Sequence, residues 1–239
     1  MRLEHSHSPE AIRHRLAHGP KVSYLKDVIY GGIDGTITTF AIVAGAIGAD
    51  LPTRIVIILG IANIVADGLS MAAANYSGTK AEVEDYRRLR AMEERHIRAD
   101  PSGERAEVRE IYRNKGYRGS DLDDIVGLLT QRREVWIDTM LAEEFGRSSV
   151  IASPLKAALA TFAAFVACGA VPLLPFLVGM PAAATSATLL TALTFFAIGS
   201  AKSRWSTRHF FWSGLETAAV GLAAAGAAFA IGHVLEQVL

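Results

Sequence analysis

The stretch Ile55–Tyr76, IVIILGIANIVADGLSMAAANY, decides the fold. It has the length a helix needs to cross a bilayer, about 20 residues. It is not uniformly apolar. Asn63, Asp67, Met71 and Asn75 fall at successive i+4 steps, so a helix places two amides, a carboxylate and a thioether on one narrow stripe. A charge near mid-membrane costs about 2.5–3.5 kcal/mol on insertion scales, so it normally faces a partner or a water-filled path. A carboxylate one turn from a methionine suits a borderline transition-metal ion better than Mg²⁺ or Ca²⁺. The stretch therefore reads as a membrane helix that handles a divalent metal.

The rest of the composition agrees with a membrane chain carrying one soluble insert. Of 239 residues, 51% are hydrophobic, and 24 Lys and Arg balance 24 Asp and Glu. Of those 48 charges, 30 lie between Lys80 and Arg147, 16 acidic and 14 basic. Long stretches outside that segment hold almost none. The lone Cys168 lies in an apolar segment, which excludes a disulfide framework or a cysteine-based metal site. Zero net charge argues against nucleic acid as the partner. The N-terminus, MRLEHSHSPEAIRHRLAHG, lacks the apolar core of a secretory signal. Residues 1–22 are expected to be a polar, loosely ordered cytoplasmic tail. His5, His7, His14 and His18 could catch metal, but their spacing closes no site and a solvated tail is the favoured reading.

Upstream of the deciding stretch, Tyr24–Ala49 reads as a first membrane helix. Asp27, Asp34 and Thr38 share one face at i, i+7 and i+11. Asp34 sits in GGIDGTITTF, where Gly31, Gly32 and Gly35 let a neighbouring backbone approach closely. Asp27 reads equally as an entrance carboxylate or an interfacial residue. Downstream, SGTKAEVEDYRRLRAMEERHI contains no breaker except Gly78, so the second helix is expected to run on into the insert. Three helical stretches are expected there. The first ends near Arg98, before Asp100-Pro101. The second covers GERAEVREIYRNKG. The third runs from Ser120 or Asp121, as N-caps, to Gly146. Ile125, Leu128, Leu129, Val135 and Trp136 are its expected packing side.

The insert holds a second constellation. Glu93 and His96 are spaced i, i+3, and Glu104 and Glu107 repeat that spacing on the next helix. Met140 and Glu144 are spaced i, i+4 on the third, with Glu143 beside them. These donors would suit Fe²⁺, Mn²⁺ or Zn²⁺ if the helices converge. A solvated hairpin laced with i,i+4 ion pairs accounts for the same spacing equally well.

Ser153–Leu177, Pro181–Ala201 and Phe211–Val234 are three further apolar spans. Pro172 and Pro175 are expected to kink or end the third span. The Gly- and Ala-rich fifth suits close helix packing or a dimer seam. Glu216 is assigned to the interface. Lys and Arg cluster in the tail, the insert and the loop with Lys202, Arg204 and Arg208, which places these in the cytoplasm and the C-terminus outside. The fold expected is an all-α membrane protein: transmembrane helices one and two over 23–79, a helical insert over 80–149, and helices three to five over 150–239.

DVIYGGIDGTITTFAIVAGAIGA, ILGIANIVADGLSMAAANYSGTKAEVEDY and the insert resemble the vacuolar iron transporter (VIT) family, from about Val22 to the C-terminus. DG in the first helix and DGxSM in the second are specific together. The resemblance implies a dimer of five-helix protomers with the ion path at their interface. It implies export of Fe²⁺, and often Mn²⁺, from the cytoplasm in exchange for protons. No prosthetic group is implied; the metal is cargo. Carried over, Asp34 and Met71 match the membrane metal site, and Asp27 an acidic position nearer the entrance. Glu93, Glu104, Glu107, Met140 and Glu144 match ligands of the metal-binding insert. His96 stands where plant members carry a run of glutamates. Asn63 stands where some members carry a glutamate, with Asp67 adding a carboxylate one turn later. Leu141 stands where a second methionine can occur.

Three other functions compete, one of them a channel for the same ions, which sequence does not separate from an exchanger. Glu93-x-x-His96 is a fragment of the ferritin-like di-iron motif, but that site needs four helices and two such pairs. A membrane-bound metal sensor would use the same insert without transport. An integral location is expected, in a bacterial inner membrane, with lipid, protons, divalent metal and a second copy of the chain as partners.

Overall fold

The computed structural model describes residues 6–17 and 19–238. His5 and His18 of the tail lie outside the described residues. All regular structure described is helical: α1 Pro9–Ala17, α2 Leu25–Gly48, α3 Thr53–Ala99, α4 Pro101–Asn114, α5 Gly119–Gln131, α6 Arg133–Glu143, α7 Pro154–Ala170, α8 Leu174–Leu177, α9 Ala183–Lys202 and α10 Phe210–Val238. Among the described residues five helical segments are long and apolar enough to cross a membrane: α2, α3, Pro154–Leu177, Ala183–Trp205 and α10. The chain divides into two compact units. One comprises residues 1–22 and 79–152, the other 23–78 and 153–239. Helix α3 supplies residues to both, unbroken across Gly78.

In the second unit α2 is central, packed by α7, α9 and α10. Its glycines make this possible. A Cβ on Gly35 would sit 2.4 Å from the Phe165 carbonyl oxygen and 2.9 Å from Phe165 Cα, so only glycine lets the two backbones meet. Gly35 follows Asp34 directly, which explains the DG pair: the glycine faces α7 and the aspartate turns elsewhere. The same close approach recurs where Gly232 of α10 meets Gly45 of α2, as the small-residue content of the fifth span predicts. Helix α3 buries a seam of Val56, Gly60, Ile64 and Gly68 at i+4 steps, with Leu173 packed on Gly60 and Phe162 and Phe165 on Gly68. Its other side leaves Ile58, Ile61, Val65 and Leu69 about half exposed. Pro172 falls in a 3-10 turn, Val171–Leu173, that kinks the span between α7 and α8. Glu216 is taken up by an ion pair with Arg208 at 2.6 Å.

Gly35→Val is expected to lower the thermal unfolding temperature of the detergent-purified protein, because the branched side chain must displace backbone. Overpacking of this kind costs about 1–3 kcal/mol. Gly226→Ala is the control: nothing lies within 4 Å of the added methyl, and stability should hold or rise slightly.

The first unit departs from expectation in four places. The tail carries a nine-residue helix, α1, with Pro9 at its start and Ser8 Oγ accepting from the Ala11 N–H. It buries none of its residues. Helix α4 starts at Pro101, earlier than expected, because Asp100 caps it: its Oδ1 accepts from Gly103 N at 2.9 Å and Ser102 Oγ at 2.7 Å. Helix α5 begins at Gly119 after extended Arg118, so Ser120 and Asp121 lie in its first turn and are not caps. The third insert helix is two helices, α5 and α6, parted at Arg132 (φ −111, ψ 112).

That break follows from packing. A straight helix over these residues would be about 37 Å long at 1.5 Å per residue, against about 21 Å for the neighbouring α4. Divided, Leu122 and Val126 of α5 join Val108, Trp136 and Met140 in one core, while Ile137 and Leu141 of α6 meet Tyr86 and Leu89 of α3 in another. Leu128 and Val135, expected to pack, are exposed (66% and 37%).

Candidate functional site

In the membrane unit the polar stripe of α3 flanks the buried seam, so Asn63, Asp67, Met71 and Asn75 are all half-buried. The stripe meets α2 at three levels. Asn63 Nδ2 donates to Thr38 Oγ1 at 3.3 Å and Thr39 Oγ1 at 3.4 Å. Asp34, half-buried on α2, lies near enough to Asp67 to feel its charge. Asn75 Nδ2 donates to Asp27 Oδ1 at 2.8 Å. Thr38 is occupied, its hydroxyl donating to the Asp34 carbonyl oxygen at 2.9 Å. An open groove of about 550 Å³ runs along α2 past Leu25, Lys26, Ile29, Tyr30 and Ile33 to Asp34. Two acidic groups therefore share one polar level between helices of membrane length, with a thioether one turn from Asp67. Asn63 is spent partly on a helix–helix bond.

In the insert the acidic residues converge, but unequally. Glu93 (1% exposed) and Glu104 (5%) are both buried, close enough for each charge to act on the other. Burial, and then the charges of Glu104, Glu144 and Glu107, push the Glu93 carboxyl up to about 7. Burial first, then Glu107, also raises Glu104. Glu144 rises for the same reasons, with His96 opposing. His96 Nδ1 lies 3.3 Å from Glu104 Oε1, its side chain half exposed. Oε2 of Glu93 and Oε2 of Glu104 are buried without a hydrogen-bond partner. Buried carboxylate oxygens left unpaired cost free energy that a cation would recover. Among the described residues no three His, Cys, Asp or Glu side chains are already drawn close enough to close around one ion. Mutual repulsion among four carboxylates is reason enough for an open arrangement.

Two of the expected ligands have other partners. Glu143 forms an ion pair with Lys115 and is taken out of the cluster. Met140, fully buried, packs with Val108, Leu122, Val126 and Trp136 in the apolar core. The Asn75–Asp27 bond joins residues 48 apart, and spacing gave no sign of it.

A profile of the VIT family matches residues 25–233. Among curated proteins, "Vacuolar iron transporter 1" of Eucalyptus grandis is 31% identical over 230 residues, covering 94% of this chain and 92% of that one. The Arabidopsis thaliana protein of the same name is 31% identical over 229 residues, covering 94% and 91%. The Plasmodium berghei vacuolar iron transporter is 33% identical over 143 residues, and there the match spans only about half of the relative, 52%. These relatives are named for the vacuole and lend no support to a bacterial inner membrane. The match takes in the first four membrane-length helices, the insert and most of the fifth helix, and by it the chain belongs to the VIT family.

Proposed function

We propose that this integral membrane protein moves Fe²⁺, and accepts Mn²⁺, out of the cytoplasm in exchange for protons. It is a transporter and not an enzyme, as its relatives are. The observation that carries the reading is the pairing of Asp34 with Asp67 at one level between α2 and α3, with Met71 one turn away. Carboxylate oxygens neutralise the ion and suit Mn²⁺ as well as Fe²⁺, and the thioether favours a borderline ion such as Fe²⁺ over Mg²⁺ and Ca²⁺. The groove along α2 opens onto Asp34, and Asp27 lies two turns away on the same face of that helix.

Both carboxylates are only partly covered on a single protomer. Left facing lipid, each would cost about 2.5–3.5 kcal/mol. A second copy seated over them would cover them and would present each acidic residue twice around one path. Crowded carboxylates hold protons when no metal is present and release them when it binds, which is the chemistry an exchanger needs. The insert, on the cytoplasmic side, would capture the ion on Glu93, Glu104, Glu107, Glu144 and His96. A sensor would need only that capture step and gives no reason for an acidic pair within the membrane.

Radioactive iron uptake into proteoliposomes tests the reading. Wild-type vesicles should accumulate Fe²⁺ above protein-free vesicles, and unlabelled Mn²⁺ should compete. Binding of iron by the protein with no accumulation in the lumen would refute transport.

A further inference from the structure

Asn75 stands one turn beyond Met71 on the polar stripe, and the metal path described above gives it no task. Its Nδ2 donates both to Asp27 Oδ1 at 2.8 Å and to Thr161 Oγ1 at 2.7 Å. Both amide protons are thereby committed. Thr161, on α7, is 1% exposed, and its hydroxyl in turn approaches the Asp27 carbonyl oxygen at 3.5 Å. One side chain of α3 thus ties the Asp27 carboxylate of α2 to a buried point on α7. Asp27 Oδ2 takes no hydrogen bond among the described residues.

The residue type suits one task. An amide orients a carboxylate without cancelling its charge. A lysine or arginine in its place would neutralise Asp27 and repel an incoming cation. A second carboxylate would push Asp27 away. A plain helix-to-helix bolt would need only the Thr161 bond.

We propose that Asn75 is a positioning residue for metal entry: it holds Asp27 with one oxygen bonded and the other left for a divalent cation on its way to Asp34. This rests on the transport reading above. Loss of the amide frees the Asp27 side chain, and fixing one side chain is worth about three- to tenfold in affinity.

The test is a double-mutant cycle on Mn²⁺ uptake by proteoliposomes, using wild type, Asn75→Ala, Asp27→Asn and the double variant. Asn75→Ala should raise KM about three- to tenfold with the maximal rate within about twofold. Asp27→Asn should raise KM at least as far. The double variant should match Asp27→Asn, because Asn75 acts only through that carboxylate. Thr161→Val, which loosens the anchor and keeps the amide, should shift KM in the same direction by less. If the two single effects multiply in the double variant, or if Asn75→Ala lowers the maximal rate and the unfolding temperature at unchanged KM, Asn75 is a structural bolt and the proposal fails. Should Asn75→Ala not purify intact, Asn75→Ser, with a shorter donor, takes its place in the cycle. Wild-type vesicles that take up no Mn²⁺ would overturn the transport reading, and this proposal with it.

Discussion

Asp34→Asn is expected to abolish metal transport while leaving the protein folded. The change is isosteric, and the hydrogen bond recorded at Asp34, from Thr38 Oγ1 to its carbonyl oxygen, is untouched. On the proposed reading, what is lost is the Asp34 charge that helps to neutralise the divalent ion. At 4 Å and an effective dielectric of about 20, a single pair of unit charges is worth about 4 kcal/mol, a factor of roughly a thousand in binding. Uptake should therefore fall at least about 100-fold, with an unchanged elution volume and unfolding temperature. A folded Asp34→Asn variant that transports at half the wild-type rate would move the site elsewhere along the stripe.

Glu93→Gln is expected to act in opposite directions on two readouts. In the metal-free protein the buried Glu93 carboxyl is pushed from 4.5 to about 7 by burial and by Glu104, Glu144 and Glu107. The folded insert therefore holds this proton more tightly than the unfolded chain does. Stability is full below pH about 4.5, falls as pH rises from there to about 7, and stays low above it. The span corresponds to something of order 3 kcal/mol. Glu93→Gln removes the charge, so it should flatten this dependence and make the metal-free insert more stable at pH 8. The same change removes an unpaired carboxylate oxygen and should weaken Mn²⁺ or Fe²⁺ binding about 10–100-fold. In wild type, added metal should restore stability most strongly above pH 7. Trp136, 4% exposed in the insert core, reports its unfolding once Trp205 and Trp212 are changed to Phe in the full-length chain. A metal-free insert that grows more stable between pH 5 and 8 would contradict the assignment.

Much of this was legible because two local signals dominate. An apolar run of bilayer length specifies a helix whatever surrounds it, so the membrane-length helices and the passage of α3 through Gly78 could be read directly. The i+4 spacing of Asn63, Asp67, Met71 and Asn75 fixed their common face. What spacing could not supply was the identity of tertiary partners. Glu143 looks like a ligand beside Glu144, but Lys115 from the end of α4 claims it. Arg132 carries no breaker signal, and the chain turns there because two separate cores must be filled. Met140 reads as a thioether donor by type, yet its neighbours are apolar. Asn75 could be placed on the stripe, but its hold on Asp27 depends on α2 and α7 meeting α3 at that level.

Coupled metal and proton movement tests the account most directly. Purified protein is reconstituted into vesicles containing a pH-sensitive dye, Fe²⁺ or Mn²⁺ is added outside, and wild type is compared with Asp34→Asn. The account predicts that metal entry and a rise of internal pH proceed together, and that both vanish in the variant. Metal entry with no change of internal pH would contradict proton exchange and make the protein a channel.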